Sequence, residues 1–496
     1  MDDDSDAMAA APPRPRLASH VLPRRHVVDG EERVVLHDQR SDDVVQVGAR
    51  EWAVLEAADG TREPEGIVVA ARRQGAHARV AAVRELLRTL AARGMVEAGE
   101  DAELESPSRD EPIACPSMPL GPESVSPTSS VPDDPGARPV VGYPEGLRCD
   151  GSGTCCRLYG TVMATPQEAQ RIQTLLPHWR VGRVPAERWT TPMRGSAPGP
   201  LLALVARDGA CGMLREDGRC EVHRVGGAEA KPLGCRLFPR TFVDDGHEVR
   251  VSLKPECPCV LDPQAEDTEL VAASAWARAR DLPPEVVVQP LPDAIELSHG
   301  RWAPRAEVRS WMVALAERPA PDDLAATSWA LAQLVETEGL DASMLEAAWI
   351  AAPPPSTLVM PWIEALHRRA SRRAREHAAW RSEGDLVRRT ITALATVTLL
   401  LRDAEALEEA MAMPPDRPAQ EARYWRTALH GHRWLGHAAL AVVLRDEAVR
   451  LWVARSLPVV MPGVQTEPEL RAPLALVEAI LRAHGIGAYV DDLRGG

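Results

Sequence analysis

The chain has 496 residues, 45% of them hydrophobic, and a formal net charge of −15. This length exceeds that of one ordinary core, so two to four domains are expected. The negative charge argues against nucleic-acid binding, which needs clustered positive charge facing phosphates. The longest apolar run, Thr392 to Leu401, is about half of what spans a bilayer, so no membrane partner is expected. The acidic start MDDDSD does not resemble a signal peptide, which predicts a cytoplasmic protein with reduced cysteines.

The N-terminal region predicts a small domain at residues 21–99, after a disordered stretch at 1–20. Two strands, RVVLHD and DDVVQVG, precede three helices and a final strand, MVEA. This order is winged-helix-like and resembles the PqqD-type domains that hold peptides in modification systems. The resemblance is carried by Trp52, Leu55, Asp59, Gly60, Ile67, Leu87, Leu90, Gly94 and Met95. It implies docking of a protein or peptide; DNA binding and a purely structural cap are the alternatives.

Residues 100–140 are rich in Pro, Ser and Asp and predict a disordered linker. Cys115 lies within it, and we interpret that thiol as incidental because ordering a flexible ligand costs entropy.

Eight of the nine cysteines lie in one segment, which predicts a metal-binding domain at residues 141–262. It contains neither the paired C-x2-C knuckles of zinc fingers nor a bacterial ferredoxin run. Even so, a high density of soft thiols beside Gly and Pro turns favours zinc or an iron–sulfur cluster. The predicted metal ligands are Cys149, Cys155, Cys156, Cys211, Cys220, Cys235 and Cys257, with Cys259 ranked after them. Redox sensing and plain burial of small apolar thiols are the alternatives. His223 is interpreted as a ligand, a supporting donor or a surface residue.

The basic residues of this segment add a second signal. Among 57 basic residues only Lys231 and Lys254 are lysines, and each shortly precedes a cysteine. A genome that favours arginine codons is one explanation, and a need for a compact ammonium near an anionic site is another. Lys231 and Arg236 are predicted to bind the cofactor by offsetting thiolate charge.

The order of these residues resembles the zinc- or iron-chelating cysteine-cluster (YkgJ-like) family. A lone cysteine, the Cys155–Cys156 pair, Cys211, Cys220 and the run KPLGCRLFP follow the family pattern, although Lys231 replaces its usual arginine. The insert VHRVGGAEAKPLGC, the FPRT run and the ending VRVSLKPECP are closer to flagellin lysine-N-methylase. This likeness implies a 4Fe–4S cluster, S-adenosylmethionine as methyl donor and a protein lysine N-methyltransferase. No Gly-rich Rossmann loop accompanies it, so a non-catalytic metal-binding or redox-responsive interaction module is the alternative.

Residues 263–496 predict a helical domain, with one hairpin at AIELSHGRWA (294–303). The fold class predicted for the chain is therefore mainly α, as a multidomain α+β protein. His430, His432 and His437 do not share one helix face, so they do not predict a metal site.

Overall fold

The computed structural model shows a helix-rich protein of the mixed α+β class, which confirms the fold class at that level. The structure describes residues 12–28, 31–38, 40, 43–73, 75–99, 134–143, 151–159, 162–182, 184–185, 188–193, 201–261, 276–284, 286–378, 381, 385–415, 417–436, 438–461, 472–483 and 486. Among the helices of these ranges, none is long and apolar enough to cross a bilayer.

Helices and strands alternate in the first half of the described chain, and helices dominate the second half. The helices are α1 (Ala49–Ala57), α2 (Pro64–Arg73), α3 (Val80–Ala92), α4 (Thr154–Tyr159), α5 (Pro166–Leu175), α6 (Glu221–Gly226), α7 (Leu233–Leu237), α8 (Pro258–Leu261), α9 (Arg305–Ala316), α10 (Leu324–Thr337), α11 (Leu345–Trp349), α12 (Ser356–Ala378), α13 (Leu386–Leu400), α14 (Ala404–Ala412), α15 (Pro418–His430), α16 (Leu440–Val460) and α17 (Pro473–Ala483). The strands are β1 (Pro15–Leu17), β2 (Val21–Val28), β3 (Glu31–Asp38), β4 (Val44–Gly48), β5 (Val96–Ala98), β6 (Val140–Gly142), β7 (Met163–Ala164), β8 (Thr190–Met193), β9 (Leu201–Leu204), β10 (Ala206–Arg207), β11 (Ala210–Cys211), β12 (Arg240–Asp244), β13 (Val249–Leu253), β14 (Gln289–Pro290), β15 (Ala294–Ser298) and β16 (Arg301–Pro304).

The chain forms two compact units, and the first comprises residues 1–19 and 49–133. Its described part holds α1, α2 and α3, with β1 paired antiparallel to β5. Trp52, Leu55, Ile67 and Leu87 are buried and form its core. On α3 the buried residues Val83, Leu87 and Leu90 recur at helical spacing, the amphipathic pattern that predicts a helix.

The second unit comprises residues 20–48 and 134–496. Its largest sheet has the order β11-β10-β2-β3-β4, a second has the order β14-β12-β13-β6, and a third has the order β7-β9-β8. The contacts thus assign β2, β3 and β4 to this unit, in which β2 runs parallel to β10. The domain boundaries and the winged-helix-like identity given above stay predictions.

The helical part of the second unit is built around α16. Most of its residues are buried, because α10, α12, α13, α14 and α17 pack against it. Trp425, Trp434 and Trp452 are almost fully buried there, where large aromatic side chains contribute most to packing. The hairpin predicted at 294–303 is confirmed as β15 and β16. Residues 262–275, where the predicted helical domain begins, lie outside the described residues, and Ala279–Asp281 is a 3-10 turn.

Candidate metal centre

A tight glycine turn positions the Cys155–Cys156 pair at the start of α4. Gly151 and Gly153 have φ of 73° and 72°, in the left-handed region that favours glycine. A Cβ on Gly153 would lie 2.6 Å from the carbonyl oxygen of Gly218. The turn therefore packs directly against the loop that joins Cys211 to Cys220.

That loop closes on itself and brings its own two cysteines near each other. The amide of Leu214 donates to the carbonyl of Cys211 at 2.9 Å, and Leu214 forms an isolated bridge with Cys220. The amide of Glu221, at the start of α6, donates to the carbonyl of Met213 at 2.9 Å.

Glu168 links α5 to α7, the short helix that carries Cys235. Its two carboxylate oxygens accept the amide of Thr165 at 2.9 Å and the amide of Leu233 at 2.7 Å. Thr165 returns the bond as a capping box at the start of α5. One side chain therefore ties the N-terminus of α5 to the short helix that carries Cys235.

Four thiols occupy one neighbourhood as a result. Burial raises the pKa of Cys211 well above its usual value, and charge at Cys156, Cys235 and Cys220 adds to the rise. Burial raises the pKa of Cys235 to about 12, with further contributions from Cys156 and Cys220. The pKa of Cys220 is also raised by burial, and then by Cys156. Without a bound cation, the thiols of Cys211, Cys220 and Cys235 are held in the protonated form.

Other groups are arranged to favour the thiolate form. The backbone N–H of Met213 donates to the sulfur of Cys211 and lowers its pKa. The amide of His223 does the same at Cys220. Lys231 lowers the pKa of both Cys220 and Cys235. Lys231 therefore lies where its charge acts on the thiols, while the Arg236 guanidinium is bonded to Glu229 at 2.9 Å.

The other predicted ligands lie elsewhere. Cys257 and Cys259 are buried in the hydrophobic cluster of the helical core, whereas Cys211 belongs to a different cluster. Cys155 acts electrostatically on Tyr159, as does Glu256. The side chain of His223 is exposed on α6.

The described cysteines are reduced, but they do not form a preassembled metal site. The seven described cysteines form no disulfide, so their sulfurs remain available as ligands. In the positions that the structure describes, however, no three Cys, His, Asp or Glu side chains are arranged to hold one metal ion. Cys149 lies outside the described residues. The chemistry of the donor set suits zinc or an iron–sulfur cluster.

The sequence did not reveal the contact of Glu168 with Leu233 or that of His432 with Asp245. The capping-box pattern from Thr165 to Glu168 was readable, but not the second bond from Glu168 to Leu233. His432 hydrogen-bonds through Nε2 to Asp245 Oδ2 at 3.2 Å. The two residues are 187 positions apart, so no local sequence pattern predicts this contact.

Comparison with known proteins identified no relative. No protein-family model, curated protein or solved structure matches this chain.

Proposed function

We propose that this chain is a cysteine-cluster metal-binding protein that holds zinc or an iron–sulfur cluster. The observation that carries the proposal is the convergence of Cys156, Cys211, Cys220 and Cys235 on one volume. The backbone amides of Met213 and His223 donate to the sulfurs of Cys211 and Cys220. The ammonium of Lys231 acts on Cys220 and Cys235. Hydrogen-bond donors and a nearby cation stabilise the charged thiolate form more than the neutral thiol form.

Metal binding would reverse the protonation of these side chains. A bound cation deprotonates coordinating thiols outright, so metal uptake releases protons and becomes stronger as pH rises. Cys149, Cys155 and Cys257 stay in the proposal as additional ligands, and Arg236 stays with Lys231 as a cofactor-binding residue. The support for Cys149, Cys155, Cys257 and Arg236 comes from the sequence pattern.

The proposal extends to chemistry through the resemblance to flagellin lysine-N-methylase. We propose a protein lysine N-methyltransferase that uses S-adenosylmethionine, which supplies the methyl group when bound. The region at residues 21–99 would hold the protein or peptide substrate. No nucleic-acid partner is proposed, and the reducing cytoplasm is the compartment that keeps such thiols available.

The alternative is a metal-binding or redox-responsive interaction module without catalysis. A redox response through the bare thiols needs thiolates, because the thiolate is the reactive species. The raised pKa values of Cys211, Cys220 and Cys235 disfavour that version. A non-catalytic metal protein is therefore the competing function.

Two measurements separate these functions. Anaerobic purification followed by iron, sulfide and zinc analysis of Cys235→Ser and Cys115→Ser tests the site. We expect metal loss in the first variant and wild-type content in the second, whereas equal content in both contradicts the ligand assignment. Transfer of a labelled methyl group from S-adenosylmethionine to lysine-containing proteins, by metal-loaded protein, then tests catalysis. Absence of incorporation with intact metal would leave the non-catalytic function.

A further inference from the structure

A second polar site lies between one sheet and the turn that follows α15. A cleft of about 60 Å³ opens there among β12, β13, β14 and residues 431–435. Its described lining includes three cationic side chains, Lys254, Arg433 and Arg482, and no carboxylate. The wall is thus positively charged, in a protein whose net charge is −15.

Carboxylates that are absent from this lining hold the two arginines in place. Glu256, 2% exposed, lies 3.4 Å from Arg433 Nη1 and 3.1 Å from Arg482 Nε. Glu478, fully buried, also pairs with Arg433. These pairs fix both guanidinium groups at the cleft without a ligand.

Lys254 differs from the two arginines because its ammonium makes no contact ion pair in the described part of the chain, although the charge of Glu256 acts on it. Its backbone amide donates to the carbonyl of Pro239 at 2.6 Å, which fixes the main chain at the end of β13. The side chain is half-buried, and no hydrogen bond or ion pair to it occurs in the described part of the chain. Burial disfavours the charge of this ammonium, and the charges of Arg433 and Arg482 add a repulsion that Glu256 opposes, so an anion in the cleft would be stabilised.

His432 lines the same cleft as Lys254 and has one ring nitrogen without a partner among the described residues. Its ring is 1% exposed, and its Nε2 is held by Asp245. Nδ1 has no hydrogen-bond partner among the described residues. The backbone at this histidine has φ of 47°, a strained conformation for a non-glycine residue that is concentrated at functional sites.

We propose that this cleft binds a small oxyanion, a phosphate or a carboxylate group, through Lys254. The flanking guanidinium groups add positive charge, and the volume limits the ligand to a small group or to the end of a larger molecule. The test below does not require a metal at Cys156, Cys211, Cys220 and Cys235. It also gives the second of the two lysines a function.

The two lysines allow a direct test on the native, full-length protein. Glyoxylate is an anionic aldehyde, and acetaldehyde is a neutral one of similar size. Each is incubated with the protein and cyanoborohydride, which reduces the imine to a stable secondary amine. Peptide mass spectrometry then measures modification at Lys254 and Lys231, and urea-unfolded protein gives the intrinsic ratio of the two reagents.

We expect the folded protein to favour glyoxylate over acetaldehyde at Lys254 by roughly tenfold relative to the unfolded chain, the factor of one charge-assisted hydrogen bond. Phosphate or formate should suppress that labelling, and chloride at equal ionic strength should not. Suppression by phosphate alone identifies a phosphate site, and suppression by formate alone a carboxylate site. An unchanged reagent ratio with no protection by either anion would overturn the proposal.

Arg482→Gln provides the variant control, because it removes one lining charge and leaves Lys254 in place. The glyoxylate preference at Lys254 should fall several-fold, with labelling of Lys231 unchanged. An undiminished preference would contradict the cationic wall. The wild-type labelling stands as a test even where this variant folds poorly.

Discussion

Glu447 on α16 is the most informative single position for the buried charges of the helical core. Its side chain is 3% exposed, and its Oε2 accepts no hydrogen bond among the described residues. Burial raises its pKa from the usual 4.5 to about 8, and the charge of Glu478 adds to the rise. Glu447 is therefore protonated in the folded protein at neutral pH. Glutamine is the nearest uncharged replacement for this protonated acid.

The sign of the pH dependence follows from proton binding. Below pH 4.5 both the folded and the unfolded chain carry the proton, and between pH 4.5 and about 8 only the folded chain keeps it. Stability therefore falls as pH rises, by about 1.4 kcal/mol per pH unit from this group. From pH 5 to pH 7 the loss amounts to about 2–3 kcal/mol. Glu447→Gln removes this loss.

Urea unfolding followed by tryptophan fluorescence at pH 5, 6 and 7 measures the effect. Relative to wild type, Glu447→Gln should gain about 2–3 kcal/mol in unfolding free energy between pH 5 and pH 7. Glu409→Gln, at an exposed carboxyl on α14, is the matched control and should show a constant difference from wild type. A Glu447→Gln difference that does not change with pH would refute the assignment of a protonated, buried acid.

Two further predictions concern the structure around the sites. Glu478→Gln removes the carboxylate that Arg450 approaches at 3.1 Å and should lower the unfolding free energy by about 3–5 kcal/mol, as expected for a broken buried ion pair. Glu346→Gln, at a pair whose carboxylate is 75% exposed, should cost at most about 1 kcal/mol, and equal midpoints for both variants would contradict this. Gly153→Ala should reduce metal content and thermal stability more than Gly227→Ala does, because both have positive φ but a methyl group added at Gly227 would meet no atom within 4 Å. Indistinguishable metal contents would show that the glycine turn does not position Cys156.

Much of the helical architecture could be predicted because its signals are local. Apolar residues at helical spacing specified α3, α10 and α13, and glycine in the left-handed conformation at Gly339 follows the end of α10. The assignment of β2 to the second unit had no such signal. It depends on a parallel pairing of His26 with Ala206, which lie far apart in the sequence.

The candidate site was predictable to a similar degree. Cysteine density indicated that thiols would meet, and Cys211, Cys220 and Cys235 do act on one another electrostatically. The sequence could not show that Cys257 and Cys259 lie in a different hydrophobic cluster from Cys211, because a cysteine has the same letter in either place. Only the packing of β13 and α8 against the helical core distinguishes them.

The central claim is that the converging thiols hold a metal, and X-ray absorption spectroscopy of anaerobically purified protein tests it most directly. Our account predicts a zinc or iron edge with sulfur as the dominant neighbour, at about 2.3 Å for zinc. Cys220→Ser and Cys235→Ser should each reduce the sulfur coordination or the bound metal. A protein without metal, or a metal bound only by nitrogen and oxygen, would contradict the account.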